Sequence, residues 1–174
     1  GIATEFLIVH QTQIDYTESG YLLGDGANLR NHPQAASLRS AYRADLVVMF
    51  IERSDNNGLG YVPDAVDDVY RWGFSVIVVS QLSTRSFLEH ELGHTLGCFH
   101  ARDSGFQPGP NPVLSYPYGH RFQEGDRIYR TIMAGNPGRK IGFFSNPQVL
   151  YQGVSTGVPA GEAGEADCAS TIAF

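Results

Sequence analysis

Residues 90–100 read His90-Glu91-Leu92-Gly93-His94-Thr95-Leu96-Gly97-Cys98-Phe99-His100. His90 and His94 are four residues apart, so on a helix they lie on one face about one turn apart. Glu91 sits beside the first histidine and points to the neighbouring side. Gly97 can take a left-handed backbone angle that closes the helix. The chain can then turn back and bring His100 to the same point in space. Three imidazoles meeting beside a carboxylate form a catalytic zinc site with one open position. The bland alternative is an amphipathic helix with solvated histidines. It fits poorly, because three of the six histidines in the chain fall at ligand spacing.

The chain has 174 residues, which suits a single domain, with an upper lobe over about 1–100 and a lower lobe over about 101–174. At this length roughly two-thirds of the unfolded surface can be buried, so no disulfide framework is required. Apolar residues make up 42% and charged residues 17%, a globular composition. Net charge is −6 and no lysine or arginine stripe forms, which argues against nucleic acid and anionic membrane as partners. The apolar runs are strand-sized, so none is expected to span a bilayer. No cationic and apolar leader opens the chain; a secreted, monomeric protein whose leader or propeptide is not in this chain is the expectation. Cys98 and Cys168 either bridge, tying the end of the histidine helix to the C-terminal segment, or remain two buried thiols.

Residues 3–12 (ATEFLIVHQT) predict a strand from their β-branched and aromatic content. Residues 17–32 read as loop, with Gly20, Gly24 and Gly26. Pro33 opens a helix that runs through Leu38 and Tyr42. Residues 45–52 (DLVVMFIE) are apolar on both faces, as in a central strand. A turn over 54–60, a short edge strand at Tyr61-Val62, a short helix over 64–71 and a buried strand over Phe74–Val79 follow. Ser86 and Glu89 have capping-box spacing ahead of the histidine helix, with Ser83 and Thr84 as other caps. Leu88, Leu92 and Leu96 give that helix a core face, leaving His90 and His94 toward a cleft. Pro108, Pro110, Pro112 and Pro117 exclude long regular elements over 103–120. Residues 161–172 are alanine-rich enough for a closing helix despite Gly164. The expected fold is α/β (α+β): a mixed twisted sheet with helices above, an irregular lobe with a closing C-terminal helix below, and the metal between.

On these residues the chain resembles the metzincin zinc endopeptidases. That superfamily carries the long histidine motif with a glycine before the third histidine, and a methionine turn below the metal. Here residues 130–138 (RTIMAGNPG) supply Met133. The segment GFFSNPQVLYQGVSTG after it is similar to the reprolysin-like branch. YTESG (16–20), LRSAYRADLVV (38–48) and FSVIVVS (74–80) most resemble bacterial peptidyl-Asp metallopeptidases, which cut before acidic residues. The resemblance covers nearly the whole chain. It implies Zn2+ on His90, His94 and His100, protein or peptide substrates, and Met133 as a floor under the metal rather than a plain core residue. In such proteins a helix and strand usually precede the strand at 3–12, so a trimmed or processed amino end is expected. Two departures stand out. Ala101 follows the third histidine where reprolysin relatives usually place an aspartate, a role for which Asp103 is the nearby candidate. Gly135 stands two residues after Met133 where some other metzincins have tyrosine, which argues against the astacin-like and serralysin-like branches.

A zinc ion on three neutral imidazoles lowers the pKa of bound water toward about 7. Glu91 is placed to take that proton and pass it to the leaving amine, so it is a base and not a ligand. Gly58-Leu59-Gly60-Tyr61 resembles the metzincin edge segment that accepts an extended peptide by strand addition; a simple turn is the alternative. The segment after Met133 lines the first leaving-side pocket in relatives, and here it contains Arg139 and Lys140. A guanidinium at the pocket base would pair with an acidic side chain, favouring Asp or Glu on the leaving side. Two solvated cations are the alternative, and Arg102 is a second candidate for that role. Asp64, Asp67 and Asp68 lack calcium-loop spacing and read as a solvated helix face. His120 is either a surface residue or a substrate contact, and His10 and His32 carry no assignment.

Two rival functions keep the same site. One is a zinc that only staples the fold. The other is a non-catalytic binding module of peptidase ancestry. Glu91 argues against the first, since a structural site closes with four ligands and needs no base.

Overall fold

The computed structural model describes residues 2, 4–65, 68–83, 86–105 and 114–173. Asp67, Thr84, Pro108, Pro110 and Pro112, each singled out above, lie outside the described residues. The helices α1 to α5 and strands β1 to β8 are numbered in chain order.

Residues that are apolar on both faces form the centre of the first sheet. β1 (Val47–Ile51) runs parallel to β3 (Phe74–Val78), and β2 (Gly58–Gly60) lies antiparallel on the other side of β3. The order is therefore β1-β3-β2, a small mixed sheet. All five residues of β3 are buried, as a strand covered on both faces requires. The expected edge strand at Tyr61-Val62 sits slightly earlier, at Gly58–Gly60. The backbone explains this: Tyr61 N–H still bonds Phe74 O, but only residues 58–60 pair in full register with β3.

Two helices cover this sheet. α2 (Pro33–Tyr42) starts where Pro33 predicts it, and His32 caps it by accepting the Ala35 N–H at Nδ1. α1 (Leu22–Asn31) replaces the loop expected over 17–32. Gly24 and Gly26 argue locally against a helix, but packing overrides propensity here. A Cβ at Gly26 would lie 2.6 Å from Leu59 Cδ2 and 2.8 Å from Tyr61 Oη, so only glycine lets α1 approach the edge of the sheet this closely. Leu22 and Leu29 of α1 then join Met49, Ile51, Phe74 and Val76 in the upper core. The buried Asp25 accepts Tyr16 O–H at 2.5 Å and the Ser19 N–H at 2.8 Å.

The strand expected over 3–12 does not form among the described residues of that segment. Among the described residues nothing pairs with it, and a strand without a ladder partner gains no backbone bonds. Leu7 and Ile8 stay 77% and 85% exposed. His10 stacks on Tyr42 at a centroid distance of 4.0 Å. The helix expected over 64–71 is the single turn α3 (Val69–Trp72).

α4 (Phe87–Thr95) carries the first two histidines. Ser86 precedes it with φ of 61°, and its side chain makes no cap, so the expected capping box does not form. Ser83 Oγ donates instead to Ser80 O, within a 3-10 turn. At the other end Gly97 takes φ of 89°; its N–H bonds His94 O, and the Cys98 N–H bonds Gly93 O. This pair of bonds is a Schellman motif, the closure that Gly97 predicts.

The lower half holds two small sheets and much irregular chain. β4 (Arg121–Glu124) pairs antiparallel with β5 (Arg127–Arg130), and β5 pairs parallel with β6 (Arg139–Lys140). β7 (Leu150–Tyr151) and β8 (Val154–Ser155) form a hairpin. The closing helix is α5 (Cys168–Ala173), shorter than the expected 161–172. Gly161 and Gly164 both have positive φ, which breaks any helix through them, and Asp167 caps α5 by accepting the Ser170 N–H at 3.0 Å. Cys98 and Cys168 are fully buried thiols, packed with Ile132 and Met133. Cys168 Sγ donates to Pro117 O at 3.3 Å. Among the described residues no helix is long and apolar enough to cross a membrane.

Candidate metal centre and active-site cleft

His90 and His94 project from one face of α4, and the Schellman turn sends the chain back toward them. The Phe99 N–H bonds Pro117 O at 2.7 Å and the Gly119 N–H bonds Phe99 O at 3.0 Å, which fixes the backbone just ahead of His100. His100 Nε2 then lies 3.1 Å from both His90 Nε2 and His94 Nε2. Among the described residues these three histidines are the group able to hold a metal ion.

The donor set can be tested against a metal. Metal–nitrogen bonds of about 2.0–2.1 Å in a tetrahedron put neighbouring nitrogens roughly 3.3 Å apart. The 3.1 Å from His100 to each partner is close to that spacing, and all three donor atoms lie within 4.8 Å of one another. The tautomers fit as well. His90 Nδ1 donates to Ile132 O at 2.9 Å, and His94 Nδ1 donates to Cys98 O at 2.8 Å. Both rings therefore turn an unprotonated Nε2 toward His100. Lone pairs converging at this distance repel unless a cation or proton sits among them. Burial lowers the pKa of all three imidazoles, that of His90 to about 4, so protons bind poorly there. Neutral imidazoles are what a divalent ion requires.

Glu91 lies one residue from His90, buried on the side of α4 that faces β2. Burial raises its pKa from 4.5 to about 7, against the smaller opposing effects of the Gly60 N–H bond and the Lys140 charge. A carboxyl tuned to this range can take and return a proton near neutral pH.

The glycines of β2 have a steric reason. A Cβ at Gly60 would lie 2.2 Å from Glu91 O, and one at Gly58 would lie 2.6 Å from Phe87 Cε1. Leu59, between them, points the other way into the upper core. Tyr61 N–H bonds Phe74 O and Val78 N–H bonds Asn57 O, so odd-numbered residues of this segment face β3. By alternation the N–H and C=O groups of Gly58 and Gly60 point away from the sheet.

Met133 is fully buried under α4. A Cβ at Gly93 would sit 2.6 Å from its Sδ, so the helix rests directly on the sulfur. Ile132 O, one residue earlier, is the group that orients His90. Gly119 also supports this turn: a Cβ there would meet Ala134 N and the Met133 carbonyl carbon at 2.6 Å. Sequence reasoning singled out Met133 but gave no reason for Gly93 or Gly119, because both pack against residues distant in the chain.

A cavity of about 250 Å³ opens beside His90 and His100, bordered by Phe87, Arg130, Ala134 and Lys140. Lys140 borders this cavity, but Arg139 is exposed and does not. Arg130 does, and sequence reasoning missed it. Register explains the exchange: Arg130 pairs with Lys140 across β5 and β6, so they share a face, while Arg139 pairs with Tyr129 on the alternate one. Arg102 is engaged elsewhere. It bonds Ser115 O and Glu165 and lies 3.8 Å above the Tyr118 ring. Asp103 pairs with Arg121, which also holds Gly135 O and Asn136 O at 2.9 Å each, so it braces the loop after Met133. His120 stacks on Phe122 rather than joining the histidine cluster.

Comparison with known proteins adds the family. Residues 4–145 match the family model Reprolysin_5, described as metallo-peptidase family M12. A peptidyl-Asp metalloendopeptidase of Xanthomonas campestris pv. campestris is 29% identical over 134 residues, covering 74% of this chain and 28% of that protein. Peptidyl-Asp metalloendopeptidases from two strains of Stenotrophomonas maltophilia are 29% and 27% identical, covering 82% and 88% of this chain and 35% and 36% of theirs. The chain therefore spans about a third of the length of these relatives. A solved chain from "Structure of a chaperone-substrate complex" superposes with a TM-score of 0.61 at 23% identity, covering 89% of this chain and 23% of that one, a likeness of fold. With the model matching most of its length, this chain belongs to metallo-peptidase family M12.

Proposed function

We propose that this chain is a zinc-dependent endopeptidase domain of the metzincin type, with the metal held between its two lobes by His90, His94 and His100. The observation that carries this reading is the convergence of three imidazole nitrogens, His100 Nε2 lying 3.1 Å from each of the other two, beside a buried carboxyl. A bound zinc would supply Lewis acidity toward the scissile carbonyl and acidify a water molecule. Glu91 takes the proton from the attacking water and delivers it to the leaving nitrogen. In the metal-free protein burial raises its pKa to about 7, which favours its taking up that proton. Met133 supports α4 from below and, through the Ile132 carbonyl, fixes the His90 ring. The outward backbone groups of Gly58 and the outward C=O of Gly60 hold an extended peptide by strand addition. Acidic residues are preferred on the leaving side, a reading supported by the relatives' name and by the cations at the cavity.

The test is hydrolysis of casein by zinc-loaded protein. A chelator should abolish it and added zinc restore it. Glu91→Ala should keep the metal and lose activity by a factor on the order of 10²–10⁴. Undiminished cleavage by that variant would overturn the base assignment. A metal-loaded parent with no hydrolysis of any protein would favour the binding-module alternative.

A further inference from the structure

Arg130 and Lys140 stand side by side on adjacent strands and border the cavity that opens next to His90 and His100. Like charges in neighbouring register repel, and half-buried cations are normally paired. Here neither has a carboxylate within ion-pair distance among the described residues, where the ion pairs are Arg102–Glu165 and Arg121–Asp103. The Arg130 guanidinium is nevertheless held firmly. Its Nε donates to Gly138 O and its Nη1 to Ala134 O, both at 2.8 Å. Among the described residues no acceptor meets Nη2. Nε and Nη1 are thus tied to the backbone around the Met133 turn, and Nη2 remains for a ligand.

We infer that Arg130 is the residue that reads an acidic side chain on the leaving side of the scissile bond, with Lys140 as the second positive charge in the same pocket. This rests on the peptidase reading above and refines it, because the sequence pointed to Arg139 for this role. A planar guanidinium fixed by two carbonyls loses little side-chain freedom on binding, so its contact with a carboxylate is pre-organised. Lys140, which borders the same cavity with a flexible ammonium, adds charge without fixing direction. Phe87, Ala134 and Gly135 add apolar wall, and the Ser104 hydroxyl is already spent on Ala101 O, so a neutral polar side chain gains little in exchange for its water.

The experiment compares two peptides that differ only in Asp or Asn at the first leaving-side position. Binding is measured by fluorescence anisotropy on the zinc-loaded Glu91→Ala protein, which does not turn them over, and kcat/KM is measured on the parent. The Asp peptide should bind more tightly by a factor on the order of 10–100. Adding Arg130→Gln should remove most of that ratio, and adding Lys140→Gln should remove a smaller part. Arg130 also braces the Met133 turn, so folding of its variant is checked by circular dichroism; Lys140→Gln keeps the test open if Arg130→Gln does not fold. An Asp-to-Asn ratio near one in the parent, or one unchanged by both substitutions, overturns the inference. A clear binding ratio in a protein that cleaves neither peptide would sink the peptidase reading while leaving the acid-reading pocket intact.

Discussion

Gly60 and Glu91 meet twice. The Gly60 N–H bonds the Glu91 carboxylate, and a Cβ at Gly60 would lie 2.2 Å from the Glu91 carbonyl oxygen. The edge strand and the histidine helix are therefore in backbone contact at the residue beside His90. Gly60→Ala must push β2 away from α4. Overpacking of this kind costs about 1–3 kcal/mol, and here the obstacle is backbone, which yields least. The variant should lose stability in urea unfolding and lose peptide cleavage more steeply than stability alone explains. A variant with parental stability would mean that the two elements are not packed as described.

Glu91 also sets a pH dependence in the metal-free protein. Its carboxyl titrates at 4.5 when exposed and at about 7 in the fold. Between those values the folded protein holds a proton that the unfolded chain has released, so stability falls as pH rises through this window. The stabilisation belonging to the protonated form is complete below about 4.5 and lost above about 7. His90 acts in the opposite sense. Its pKa drops from 6.5 to about 4, so its contribution is lost as pH falls between those values. Glu91→Gln removes only the first effect. In zinc-free buffer that variant should match the parent near pH 4.5 and exceed it at pH 8, by on the order of 3 kcal/mol. A difference that does not change with pH would rule this out.

How much of this was legible in the sequence depends on how local each feature is. The convergence of His90, His94 and His100 needs only helix periodicity and one glycine turn, and both follow from an eleven-residue stretch. β1, β3 and α2 were legible from apolar runs and from Pro33. α1 was not, because Gly24 and Gly26 signal a loop until Leu59 and Tyr61 are known to press on Gly26. Residues 6–9 have every strand preference, but propensity cannot supply a neighbouring strand. The cavity cations show the same limit. Arg130 and Arg139 look alike in sequence, and only the pairing of β5 with β6 says which one shares a face with Lys140.

Removing the metal should loosen the link between the lobes. The three histidines join α4 to the chain beyond it, and Ile132 O ties His90 to the Met133 turn. An ion bound only by the folded state stabilises by about 4 kcal/mol at a thousandfold excess over its dissociation constant. Chelator should therefore lower the melting temperature of the parent by several degrees. His94→Ala should bind zinc far more weakly and melt at nearly the same temperature with or without chelator. A parent whose melting point ignores both zinc and chelator would speak against a metal at this site.

The buried thiols give a chemical readout of the lower core. Cys98 and Cys168 are fully buried, and burial together with the neighbouring Cys168 holds the Cys98 thiol well above its ordinary pKa. A protonated, inaccessible thiol is a poor nucleophile. Native protein should therefore react negligibly with a thiol reagent over the time in which an exposed cysteine reacts fully. In denaturant without reductant, both cysteines should label. A bridged pair would also be silent in the native state but would stay silent after denaturation until reductant was added, so the second step separates the two. Rapid labelling of the native protein would place the C-terminal helix off the core, and with it the packing of Ile172 and Met133 around Cys98.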